Sequence, residues 1–137
     1  MKLFLASLAI ADSQSSAFLE LVGKQDPAEV RIALIENAAD GEVGEKPWVA
    51  ENRKAIQAHG YDVEIVDLND YKRDDNRNRF RAKLKNKDVV WLGGGNDKYG
   101  HIMHSIKDKF EASGYKTCRL TDGQALIVDG DKQVVIG

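Results

Sequence analysis

A chain of 137 residues, 42% hydrophobic and 31% charged, can bury a real core and is expected to form one globular α/β domain over 1–137 rather than a disordered or repeat protein. A formal net charge of -2 and a pI near 5.9, with Lys and Arg interspersed among Asp and Glu, give no basic field for nucleic acid or an anionic membrane. The single cysteine, Cys118, excludes an internal disulfide and suits a reducing cytoplasm, and no run approaches the ~20 apolar residues that span a bilayer.

Lys2-Leu3-Phe4-Leu5-Ala6-Ser7 reads as a first strand. Lys2 and the apolar stretch to Ala11 have the outline of a signal peptide but fall short of the roughly 15–30 residues such a segment needs, which favours a buried strand. The polar cluster Asp12-Ser13-Gln14-Ser15-Ser16 offers helix caps, and a short helix follows with Phe18, Leu19 and Val22 on one side, ended by Gly23 and Pro27. Residues 30–35, rich in β-branched side chains, predict a second strand that delivers Glu36-Asn37-Ala38-Ala39-Asp40 to one edge of a parallel sheet. Pro47 suits the first turn of a helix that runs to His59, carries Trp48, Ala55 and Ile56 toward the sheet and stops at Gly60. His59 reads as a cap or surface residue at the negative end of that helix. Residues 61–68 predict a third strand, 69–78 a charged connection whose mixed signs suit a solvated face, and Phe80 and Leu84 the apolar anchor of a third helix.

The stretch Asp88-Val89-Val90-Trp91-Leu92-Gly93-Gly94-Gly95-Asn96 carries the sharpest signal. Its four apolar residues predict a strand buried on both faces of a parallel sheet, and the glycines mark that strand's carboxyl end. Ligands of open α/β sheets bind at such ends, where helix amino termini offer free N–H groups, so Gly94, Gly95 and Asn96 are the candidate binding residues. The spacing fits neither a dinucleotide fingerprint nor a Walker loop, which disfavours nucleotides. Beyond Asn96, Tyr99, Ile102, Met103, Ile106 and Phe110 recur at helical spacing, Gly114 ends that helix, and 115–120 predicts another strand. Residues 124–128 and 132–136 predict a hairpin across Asp129-Gly130. The alternation predicts a doubly wound, mostly parallel sheet with helices on both faces and a C-terminal β-hairpin, its central strands being 2–7, 30–35, 63–66 and 89–92.

His101, His104 and Ser105 lie close together, yet no nucleophile elbow surrounds Ser105, and two histidines three apart specify no third metal ligand. Asp122 reads as a turn residue. No catalytic residue, metal or cofactor is assigned from these residues.

Taken in order, residues 2–7, Arg31-Ile32-Ala33-Leu34-Ile35-Glu36-Asn37-Ala38-Ala39-Asp40, Lys46-Pro47-Trp48-Val49, 63–68, Gly93-Gly94-Gly95-Asn96 and 120–130 resemble the dipeptidase E (α-aspartyl dipeptidase) family of serine peptidases. The resemblance spans nearly the whole chain. It implies a class I glutamine amidotransferase-like α/β fold, with N–H groups of Gly94 and Gly95 contributing to an oxyanion hole. The family's nucleophile sits in a Ser-Ala-Gly elbow, and none occurs here. Asn96 leads straight into a late family helix, and His101 and His104 match positions after the family's catalytic histidine, so they do not inherit its role. The resemblance thus implies a member that lacks its catalytic middle through natural loss, engineered deletion or an incomplete sequence, and that is inactive in this form. Two activities remain: non-catalytic binding of a small acidic peptide or other anion at Gly94, Gly95 and Asn96, or a structural role as a homo-oligomer whose uncovered apolar faces self-associate.

Overall fold

The computed structural model describes residues 2–6, 9–41, 43–71, 76–93, 120 and 123–137. They form a mixed α/β structure with one parallel and one antiparallel three-stranded sheet. In chain order the elements are β1 (Lys2–Ala6), α1 (Ser15–Val22), β2 (Arg31–Ile35), α2 (Pro47–Ala58), β3 (Asp62–Ile65), α3 (Arg77–Lys85), β4 (Val89–Leu92), β5 (Ala125–Asp129) and β6 (Lys132–Ile136).

The parallel sheet has the order β3-β2-β4, with Ile32 opposite both Val63 and Val89, and Leu34 opposite both Ile65 and Trp91. Its central strand β2 buries both faces because its side chains alternate between two cores. Ile32 and Leu34 join Ile10, Phe18, Val30, Ile56, Tyr61 and Trp91, whereas Ala33 and Ile35 join Val66 under Tyr71, Phe80 and Leu84. Helices α1 and α2 therefore supply one layer, through Phe18 and Ile56, and α3 supplies the other. Helix α1 ends as its sequence dictates. Gly23 adopts a φ of 79°, a conformation that costs an L side chain more than glycine, and its N–H returns to the carbonyls of Leu19 and Glu20.

Strand β1 does not join the parallel sheet with 30–35, 63–66 and 89–92, as its apolar run predicts. It pairs antiparallel with β5, Phe4 opposite Ile127, and β5 pairs antiparallel with β6 from Ala125 opposite Ile136 to Asp129 opposite Lys132. An apolar run specifies a strand but not its partner, and β5 offers five residues of matching length. A second difference concerns β4. Trp91 is buried, but Val90 and Leu92 are 46% and 73% exposed, so the strand is covered on one face only. By register these two share the face of Ala33 and Ile35, where Phe80 and Leu84 of α3 pack on the residues of β2 and on Val66.

The two sheets meet through aromatic rings. Phe18 is 1% exposed and sits edge-on to Phe4 of β1 at 5.1 Å, to Tyr61 at 5.5 Å and to Trp91 of β4 at 6.2 Å. Buried Gln14 adds a polar tie: its Oε1 accepts from the Ala11 N–H at 3.1 Å, and its Nε2 donates to the Gly123 carbonyl just before β5. Among the described residues no helix is long and apolar enough to cross a membrane.

Candidate functional site

Because β3, β2 and β4 run parallel, their carboxyl ends converge on one edge, where Glu36, Val66 and Gly93 leave the sheet. Gly93 continues the ladder: its N–H donates to the Ile35 carbonyl at 2.8 Å. A methyl group built on Gly93 would rest 3.6 Å from Glu36 Cγ, so the end of β4 lies directly against that side chain. Gly94, Gly95 and Asn96, the residues expected to bind a ligand, lie outside the described residues, as do His101, His104, Ser105, Cys118 and Asp122.

Helix α2 starts near this edge, with proline in its first turn, where a missing N–H costs nothing. The face it turns inward departs from the expected one at Ala55. Ile56 is buried as anticipated, but Ala55 is exposed, and Trp48, Val49, Asn52 and Arg53 line a cleft of about 450 Å³ with Leu92 and Gly93. Arg53 thus occupies the helical stripe that Val49 and Ile56 define. Its Nη2 donates to Glu36 Oε2 at 2.5 Å and its Nε to Oε1 at 3.3 Å, a two-pronged guanidinium–carboxylate pair. That hydrogen bonding raises the Arg53 pKa above the ordinary arginine value.

A second cleft of about 420 Å³ shares Glu36 and Arg53 and is also lined by Asp40, Lys46 and Asp67. Here Asn37 connects the loop after β2 to the loop after β3. Its Nδ2 donates to Asp40 Oδ2 and to Asp67 Oδ1, both at 2.8 Å, while its Oδ1 accepts from the Leu68 N–H at 2.8 Å. Asn69 Nδ2 donates to the same two carboxylates at 3.0 and 2.8 Å. The bonds from Asn37 and then Asn69 hold the Asp40 carboxyl below its usual pKa, with a smaller contribution from Lys46.

The described histidine, His59, sits apart from this edge. It caps α2 beside Tyr61, which leads into the amino end of β3. Rather than lying on the surface it is half-buried and stacks on Tyr61 at 5.6 Å, and its Nε2 lies 2.7 Å from the Ile10 carbonyl oxygen. A carbonyl only accepts, so Nε2 carries a proton and donates it there. Ser15 Oγ, 3.4 Å from the Tyr61 hydroxyl, belongs to the same group, and burial raises the Tyr61 pKa. This arrangement tethers the chain between β1 and α1 and is built for packing. Among the described residues no three His, Cys, Asp or Glu side chains are grouped to hold a metal ion.

Arg53 and the Asn37 network are not among the residues expected at this edge. A charged residue within an apolar helical stripe is the signal that marks Arg53, whereas nothing in the sequence pairs Asn37 with Asp67, 30 residues away. Compared with known families and curated proteins, the chain matches no family model and no curated sequence.

Proposed function

We propose that the chain is an internally deleted relative of the dipeptidase E-like serine peptidases, which keeps the ligand edge of the fold and has lost the hydrolytic groups. The proposal carries with it the family's doubly wound, mostly parallel sheet with helices on both faces and a C-terminal β-hairpin. The observation that carries it is the position of Gly93 at the carboxyl end of β4, against Glu36 and opening on the cleft that Arg53 lines. On this reading Gly94, Gly95 and Asn96, which follow Gly93 in sequence, bind a small acidic peptide or another anion without cleaving it. Losing nucleophile and base together costs several orders of magnitude in rate, leaving at most what oxyanion donors and positioning supply. An anion that binds only the folded chain, present at 100 times its dissociation constant, stabilises it by about 2.7 kcal/mol. Thermal melts with and without an aspartyl dipeptide test this: the wild type should be stabilised and Gly94→Val should not. Equal shifts in both, or none in either, would remove the glycine edge as a site.

A second reading rests on exposed apolar side chains: Leu5, Val90 and Leu92 are 47%, 46% and 73% exposed. Such a surface favours self-association into a homo-oligomer. Sedimentation velocity over a concentration series tests it, and a strict monomer at high concentration would reject it.

A further inference from the structure

We propose that Arg53 is the carboxylate-recognising group of this edge and that Glu36 is its internal competitor, so that the ligand is a small zwitterion with a free carboxylate. This rests on the reading above that the carboxyl edge of the parallel sheet binds a ligand, and it names what the site recognises.

The Glu36 carboxylate occupies the guanidinium fork with two bonds, at 2.5 and 3.3 Å, in the geometry an incoming carboxylate would use. Exposure is unequal: the Arg53 side chain is 35% exposed and that of Glu36 14%, so a ligand arriving from the cleft meets the guanidinium first. The pair also stands where a ligand leaving Gly93 would reach it, because Glu36 Cγ contacts the end of β4 and Arg53 lines both clefts. Holding α2 in place does not require the pair. Ile56 at 1% exposure anchors the helix, and a partly exposed ion pair adds little to stability.

The surroundings select among anions. Asp40 and Asp67 line the second cleft with Arg53 and Lys46, so both signs of charge face the same space. A phosphate dianion is repelled by those carboxylates, whereas a zwitterion places its ammonium toward them and its carboxylate on the fork.

Calorimetric titration of the full chain with Asp-Leu dipeptide and, separately, with inorganic phosphate tests the proposal. Arg53→Met should weaken dipeptide binding by about tenfold or more, the effect of losing a charge-assisted pair of bonds, and Arg53→Lys should recover only part of it. Glu36→Gln should tighten binding, because a neutral amide competes less well for the fork. Opposite shifts for Glu36→Gln and Arg53→Lys are the signature of the competitor. Both variants keep side-chain volume, and their melts report folding independently. If Glu36→Gln and Arg53→Lys weaken binding alike, the pair is structural and the proposal fails. If Arg53→Met binds as the wild type does while Gly94→Val does not bind, the glycine edge stands and Arg53 is not its recognition group. Wild-type protein that is folded and binds no dipeptide overturns both readings, and phosphate bound as tightly as the dipeptide overturns the carboxylate assignment.

Discussion

Asp88 clamps Arg31. Its Oδ2 accepts from the Arg31 backbone N–H at 2.9 Å and from Nε at 3.1 Å, its Oδ1 accepts from Nη2 at 3.3 Å, and its own N–H donates to the Arg31 carbonyl at 2.9 Å. The first residue of β2 and the residue before β4 are thereby locked together, which sets Ile32 opposite Val89. That register carries through to the other end of the sheet, where it places Gly93 on the Ile35 carbonyl and against Glu36.

Acid should loosen this arrangement. Arg31 holds the Asp88 carboxyl below its ordinary pKa, Lys83 and then Lys87 do the same for Glu64, and Asn37 does so for Asp40. A carboxylate whose folded pKa is depressed stabilises the fold above its unfolded pKa and loses that contribution as pH falls through the folded value. Thermal melts across an acid series should therefore show Tm falling from the ordinary carboxylate range downward. Asp88→Asn should lower Tm at neutral pH and flatten that acid limb, since the group that titrates is gone. An acid limb as steep as the wild type's would contradict the clamp.

Phe18 holds the two sheets against one another through Phe4 and Trp91, so its removal should be costly. Phe18→Ala should reduce unfolding free energy by about 3–5 kcal/mol, the range for deleting a buried aromatic ring. Urea unfolding measures this. A loss under about 1 kcal/mol would mean that the aromatic junction is not the core.

Much of this core was legible beforehand. The β-branched runs at 31–35 and 89–92, the helix breakers Gly23 and Gly60, and the Phe80–Leu84 pair each encode a local conformation, which depends on neighbours in sequence. Partner choice is not local. The pairing of Lys2–Ala6 with Ala125–Asp129 spans nearly the whole chain, and a strand with Phe4 on one side and Leu5 on the other suits either kind of sheet. The candidate edge was legible through the glycine that follows Leu92. Its charged half was not, because Glu36 and Arg53 meet only once α2 has packed on β2.

Asn37 should prove to be the group that tunes Asp40. Asn37→Ala removes the more influential of the two amide bonds that hold the Asp40 carboxyl down, so its pKa should move up toward the ordinary value while Asn69 retains part of the effect. Carboxyl-detected NMR titration reads this directly. An unchanged Asp40 titration would assign the depression to Asn69, with Lys46 behind it, instead.

Self-association, if it runs through the exposed end of β4, should be sensitive to charge there. Leu92 is 73% exposed, so Leu92→Glu should leave stability nearly unaltered while shifting sedimentation toward the monomer. A variant that associates as strongly as the wild type would place the interface elsewhere.

Proton NMR of an aspartyl dipeptide mixed with the purified chain tests the central claim most directly, because one spectrum reports both binding and cleavage. Dipeptide signals should broaden with wild-type protein, stay sharp with Gly94→Val, and give no free amino-acid signals over prolonged incubation. Product signals that a serine-directed reagent abolishes, or dipeptide lines that stay sharp at every wild-type concentration, would contradict a ligand edge that binds without hydrolysing.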